Sequence, residues 1–146
     1  MTILDVNVLL YATDSAAPQH RPVSDWLKRL RAGGEVLGLP WITLWAFLRI
    51  GTNPRLWANP KSGREACALV RLWLEQPDVV EPEAGPRHAE ILERLMAEYN
   101  VTGPLVTDAV LAALAIEHGA TVASTDQDFR RFPEVRWVNP LESRAS

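Results

Sequence analysis

The residues after Asp108 read Ala-Val-Leu-Ala-Ala-Leu-Ala-Ile, apolar around nearly the whole circumference of a helix. A helix of that kind is buried on most sides rather than along one stripe. No apolar run in the chain approaches the roughly 18 residues that mark a membrane span. The segment is therefore expected to be a central helix packed against a sheet, running from about Val106 to His118 and closed by Gly119.

The rest of the chain supplies the sheet. Thr2 to Asp5 reads as a strand that passes directly into a short helix, Val6 to Ala12. A helix follows over Pro22 to Arg31, with Trp26, Leu27 and Leu30 at core-facing spacing and Gly33-Gly34 to stop it. Val36 to Leu39 is the second strand, and Pro40 opens a helix to Ile50. Ser62 and Glu65 form a capping-box pattern for a helix that ends near Gln76. Val79-Val80 is a short strand, Pro86 to Tyr99 a helix, Thr121 to Ser124 a strand and Arg136 to Val138 a final one. Strands alternating with helices favour an α/β layer fold around a parallel sheet, and 146 residues suit one compact domain.

Four acids stand at the junctions of this pattern. Asp5 closes the first strand, Asp108 begins the central helix, and Asp126 and Asp128 follow the Thr121–Ser124 strand. Each has a plain reading as well as a chemical one. Asp5 and Asp108 suit helix N-termini, and turns tolerate Asp126 and Asp128. Ligands in open α/β sheets, however, gather at the carboxyl ends of strands, where these acids fall. If they converge, their repulsion calls for a cation, and an all-oxygen set fits Mg2+. His20, His88 and His118 are too scattered for a zinc site, and the single cysteine, Cys67, allows no internal disulfide. Cys67 is expected as an inert core residue of an apolar helix. A carboxylate cluster holding a metal suits phosphodiester hydrolysis.

Charge is uneven along the chain. Residues 1–71 hold nine Lys/Arg against five Asp/Glu, and residues 72–146 six against thirteen. This arises by chance as readily as from one face for a polyanion and another for a basic partner. Arg49, Arg55, Trp57 and Lys61 are candidates for nucleic-acid contact through phosphate neutralisation and base stacking. Trp41 and Trp45, four residues apart on an apolar helix, are expected in the core or at a dimer interface. The N-terminus has no basic lead-in and does not read as a secretion signal, so a cytoplasmic location without membrane attachment is expected.

Taken together, these residues resemble PIN domains, and VapC toxins of type II toxin–antitoxin systems in particular. Ile3-Leu4-Asp5-Val6-Asn7-Val8-Leu9-Leu10-Tyr11-Ala12 resembles the family's opening motif. Thr107-Asp108-Ala109 resembles its third acidic motif, and Ser124-Thr125-Asp126-Gln127-Asp128-Phe129 its fourth. Leu39-Pro40-Trp41, Phe47-Leu48-Arg49, Thr52-Asn53-Pro54-Arg55, Phe132-Pro133, Trp137 and Asn139-Pro140 resemble one VapC subgroup. The resemblance covers residues 2–141. It implies a single PIN domain over 1–146, a three-layer α/β/α sandwich with a mostly parallel central sheet. It also implies a Mg2+- or Mn2+-dependent endoribonuclease acting on tRNA, rRNA or mRNA, a VapB-type antitoxin as partner, and a homodimer. By the same resemblance Asp5, Asp108 and Asp126 are metal ligands, Asp128 is a fourth catalytic acid, and Asn7 and Thr125 are polar neighbours.

One departure stands out. Many PIN domains carry a Glu early in the helix after the second strand, and here Ala46 stands near that position. Three outcomes follow: compensation by Asp128, weaker metal binding, or reduced activity; compensation is the one expected. The competing functions are a catalytically weak scaffold that binds RNA or antitoxin, and a haloacid-dehalogenase-like phosphatase. The phosphatase needs an acid where Asn7 stands and a well-placed lysine, and the chain has only Lys28 and Lys61.

Overall fold

A computed structural model describes residues 1–142. The last four positions of the expected domain, 143–146, lie outside the described residues. The strands are β1 (Thr2–Leu4), β2 (Leu37–Gly38), β3 (Val79–Val80), β4 (Thr121–Ala123) and β5 (Trp137–Val138). They form one sheet in the order β3-β2-β1-β4-β5, and every pairing is parallel. The helices are α1 (Val6–Thr13), α2 (His20–Ala32), α3 (Trp41–Gly51), α4 (Gly63–Leu74), α5 (His88–Glu98) and α6 (Val106–His118). Two short 3-10 helices, Gly103–Leu105 and Gln127–Arg131, complete the chain and were not expected from its periodicity.

Side chains alternate across a strand, so consecutive residues serve opposite layers. Ile3 and Val122 join one core with Ile91, Leu95, Leu111, Phe129 and Phe132. Their neighbours Leu4 and Ala123 join the other, with Val8, Val23, Leu44, Phe47 and Val70. Helices α5 and α6 thus cover one face and α1 to α4 the other, the three-layer sandwich expected. The alanines of α6 let it lie close to the sheet: Ala109, Leu111, Ala112, Ala113, Leu114 and Ala115 are all buried. Gly119, at φ 62°, ends this helix in the left-handed region and bonds the carbonyls of Ala115 and Ile116. The capping pattern before α4 is also present, with the Glu65 N–H donating to Ser62 Oγ at 3.1 Å.

One expectation about burial needs correction. Cys67 is exposed, not in the core. Helix α4 buries Ala66 and Val70, and Cys67 lies one residue, about 100° of helix rotation, off that stripe. Of the two places expected for Trp41 and Trp45, the core and a dimer interface, the core is not the one they occupy. Helix α3 buries Thr43, Leu44, Phe47 and Gly51, which leaves the two indoles 38% and 63% exposed on another side. They pack on each other with ring centroids 6.1 Å apart, and Trp41 Nε1 donates to Glu81 at 2.8 Å.

Phe47 is fully buried and meets Trp73 edge to face, with centroids 4.9 Å apart. Replacing it with alanine is expected to destabilise the fold by about 3–5 kcal/mol, because the cavity cannot fully collapse. Urea denaturation of Phe47→Ala beside the wild type measures this.

Candidate functional site

Strand pairing assembles the site. Leu4 lies opposite Ala123 in the parallel ladder, so the next residues, Asp5 and Ser124, leave the sheet side by side. The Asp5 N–H donates to the Ala123 carbonyl at 2.9 Å. Ser124 Oγ donates to Asp5 Oδ2 at 2.7 Å and accepts from Asn7 Nδ2 and the Asp126 N–H, each at 3.0 Å. That fills the one donor and two acceptor positions of a hydroxyl. Asn7 Nδ2 also donates to Asp5 Oδ2 at 3.2 Å, while its Oδ1 accepts the Thr125 N–H at 3.0 Å. Asp5 Oδ1 accepts the Val6 N–H at 2.7 Å and so caps α1. Both readings of Asp5 hold at once: it caps a helix and it faces the other acids.

Asp108 is different. The N-cap position of α6 is Leu105, and Asp108 is the third helical residue. It is buried, at 9% exposure, and among the described residues its carboxylate takes part in no side-chain hydrogen bond or ion pair. The plain capping role does not account for it. Asp126 caps the second 3-10 helix by accepting the Asp128 N–H at 2.8 Å. One carboxylate oxygen each from Asp108, Asp126 and Asp128 lie within 4.8 Å of one another. Asp128 therefore belongs to the close trio, and Asp5 stands beside it, held by Ser124.

Electrostatics records the crowding. Burial, followed by the charges of Asp5, Asp126 and Asp128, pushes the Asp108 carboxyl up to about 7. Burial also raises Asp5, against the hydrogen bonds from Ser124 and Val6, and Asp126 adds to the rise. An unpaired carboxylate on a largely buried residue, close to two others, has the donor chemistry of a site for a hard divalent cation. No nitrogen or sulfur ligand competes. His20 Nδ1 pairs with the Tyr11 carbonyl, His88 faces Glu117, and His118 Nε2 pairs with the Glu83 carbonyl.

The basic candidates lie elsewhere. Arg49 is on the last turn of α3, and Arg55, Trp57 and Lys61 are in the loop that follows. That loop contacts the far end of α1 from Asp5: Trp57 packs on Tyr11, with centroids 5.8 Å apart, and Asn59 reaches Asp14 at 3.4 Å. Arg49 and Arg55 are exposed, and Trp57 and Lys61 half-buried. Helix α3 contributes no acid; Ala46 is half-buried where the Glu is often found. Sequence reasoning gave no role to Ser124 or to Arg131, whose charge acts on Asp108. The first had a signal, a hydroxyl directly after an apolar strand; the second had none.

A family profile described as PIN domain matches residues 2–135. Ribonuclease VapC33 of Mycobacterium tuberculosis is 42% identical over 141 residues, covering 97% of this chain and 99% of that one. Ribonuclease VapC37 of the same species is 41% identical over 140 residues, covering 96% and 97%. Among solved structures, VapBC2 from Rickettsia felis, bound to a DNA fragment from its promoter, superposes with a TM-score of 0.68. It is 20% identical and covers 94% of this chain and 97% of that one, a likeness of fold.

The crowding has a measurable consequence in metal-free protein. Between the ordinary value of 3.8 and the folded value of about 7, native Asp108 keeps a proton that the unfolded chain has released. Stability contributed by this residue therefore falls as pH rises through that window. Thermal melts in EDTA from pH 5 to 8 are expected to show the fall in wild type and a flatter profile in Asp108→Asn. An equal fall in both would assign it to other groups.

Proposed function

The chain belongs to the PIN domain family, and from that premise we propose that it is a metal-dependent endoribonuclease of the VapC toxin type. The carboxylate trio beside Asp5, at the carboxyl end of a parallel sheet, carries this reading. Identity of 41–42% to ribonucleases over nearly the whole chain supports RNA as the substrate. Asp5, Asp108 and Asp126 would hold Mg2+ or Mn2+, and Asp128 would supply the negative charge that α3 lacks near Ala46. When bound, such an ion supplies Lewis-acid stabilisation of the charge growing on a phosphate and acidifies water for attack.

The chain's own residues prepare the site. Ser124 and Asn7 fix the Asp5 carboxylate so that it does not turn away, leaving capacity on Oδ1 beyond its bond to Val6. Asn7 holds the Thr125 backbone, which sets the path of the chain into Asp126. Asp108 would have to give up its proton to hold a cation, so metal affinity is expected to rise with pH up to about 7. The phosphatase alternative lacks its lysine: among the described residues neither Lys28 nor Lys61 forms an ion pair with any of the four acids.

A VapB-type antitoxin is the proposed partner, supported by the VapBC2 assembly of Rickettsia felis and by an acidic cluster that suits a basic side chain. A homodimer is proposed as well; the exposed Trp41 and Trp45 are apolar surface of the kind an interface covers. Among the described residues no helix is long and apolar enough to cross a membrane. A reducing cytoplasm is the proposed location, in keeping with a single free cysteine.

Antitoxin-free protein is expected to cleave structured RNA in Mg2+ or Mn2+. EDTA or Asp5→Asn is expected to reduce cleavage by roughly 100-fold or more, the scale on which a misassembled metal site fails. Mapping RNA ends after brief incubation reads this directly. Cleavage that persists in Asp5→Asn would overturn the mechanism. A wild-type melting temperature that ignores millimolar Mn2+ would favour the silent scaffold, since a ligand in hundredfold excess adds about 2.7 kcal/mol.

A further inference from the structure

The charge of Arg131 acts on Asp108, and Arg131 lies on the segment that carries Asp128 and is capped by Asp126. Asp128 and Arg131 both lie in the 3-10 helix Gln127–Arg131. Residues three apart eclipse on a 3-10 helix, so the two side chains leave the same face. The neighbouring Arg130 is turned away, with its guanidinium 5.8 Å from the centre of the Trp137 ring. Arg131 is exposed, and its Nη1 donates to the Tyr99 carbonyl at 3.4 Å. Tyr99 is the C-cap of α5, just before the loop that leads into α6 and Asp108. Among the described residues no carboxylate lies within 4.0 Å of Arg131.

Two other arginines of this half have polar partners. Arg94 forks onto Glu134 at 2.8 and 3.0 Å, and Arg136 donates to the Gly119 carbonyl at 2.8 Å. Arg131 uses one long hydrogen bond out of the five N–H donors of a guanidinium. A planar fork with free donors, close to an acidic metal site but not neutralised by it, matches the non-bridging oxygens of a phosphodiester. A polyanion approaching four carboxylates needs such a contact to offset repulsion.

We propose that Arg131 grips a phosphate of the RNA strand beside the carboxylate trio and so sets the register in which the strand meets the acids. The proposal rests on the reading of this site as a ribonuclease. Tyr99 ties the guanidinium to the end of α5, and Asp128 leaves the 3-10 helix on the same face. The loop residues Arg49, Arg55 and Lys61 then contact the strand, if at all, further along α1, while Arg131 acts next to the acids.

The test compares Arg131→Gln, Arg131→Lys and Arg130→Gln. RNA binding is measured with a single-stranded oligonucleotide in Ca2+, cleavage in Mn2+, and Mn2+ affinity by calorimetry without RNA. Arg131→Gln is expected to lose roughly 10- to 100-fold in kcat/KM and in oligonucleotide affinity, as for a charge-assisted hydrogen bond. Its salt dependence is expected to weaken by about 0.7 in the log–log slope, one phosphate contact on a single strand. Its Mn2+ affinity is expected to stay level or rise, because a cation near the acids has gone. Arg131→Lys recovers part of the loss, and Arg130→Gln stays within about threefold of wild type, the small effect ordinary for a surface substitution. Mn2+ affinity and melting temperature falling together in Arg131→Gln would show a structural role and overturn the proposal. So would an Arg131→Gln protein that matches a wild type that binds and cleaves RNA. A wild type that neither binds nor cleaves would overturn the ribonuclease reading, and the proposal with it.

Discussion

The pairing of β1 with β4 sets everything else at this site. Three rungs, Thr2 to Thr121, Ile3 to Val122 and Leu4 to Ala123, put the two strands in parallel register. Their next residues meet as a carboxylate and a hydroxyl 2.7 Å apart. Because side chains alternate along each strand, a slip of one residue would turn Ile3 and Leu4 to the wrong cores and separate Asp5 from Ser124. Core packing and site geometry are thus selected by the same register. In the order β3-β2-β1-β4-β5, β1 leads outward to β2 on one side and borders β4 on the other. The crevice opens where the two directions part, at the strands' carboxyl ends.

The site opposes folding and the rest of the molecule offsets that. Burial and like charge raise Asp5 and Asp108 together, which means that ionising them costs stability in the metal-free state. The offset comes from two apolar layers. Phe129 and Phe132 anchor the segment that bears Asp126 and Asp128, with Tyr99 edge-on to Phe132 at a centroid separation of 5.6 Å. Trp137 Nε1 donates to the Ser124 carbonyl at 3.0 Å and ties β5 to the same corner. The acids are held by groups whose own positions are fixed by packing, so little reorganisation is left for the moment a cation binds.

Most of the fold was legible because period and punctuation agree along the chain. The apolar girth of α6, the capping box at Ser62 and the strand residues on either side of Asp5 each reached the structure as read, within a residue or two at their ends. What failed did so for local reasons. Cys67 lies on an apolar helix, and hydrophobicity alone does not say which side of a helix the sheet will take. The 3-10 helices are too short to show a period. The four acids were legible by their places at strand and helix ends, but their grouping was not. Asp128 joins the trio through the turn that Asp126 caps, and Arg131 returns to the acids through the 3-10 repeat. Both depend on a local backbone form with no sequence signature.

That turn also bears on the missing acid of α3. With Ala46 on the helix after β2, the negative charge of the site shifts toward β4 and the segment behind it. Asp126 and Asp128 are two residues apart, and one hydrogen bond, from the Asp128 N–H to Asp126 Oδ1, sets their relative position. A ligand on α3 would bridge the two sides of the crevice and respond to any shift between α3 and the sheet. Two acids on one capped turn move together instead. Their distance to Asp108 then depends on the contact between α6 and the 3-10 segment, through Phe129 against the alanine face of the helix. The small residues that first marked α6 as central therefore have a second consequence. They let the helix approach closely enough for Asp108, one position before Ala109, to reach acids carried on the opposite element.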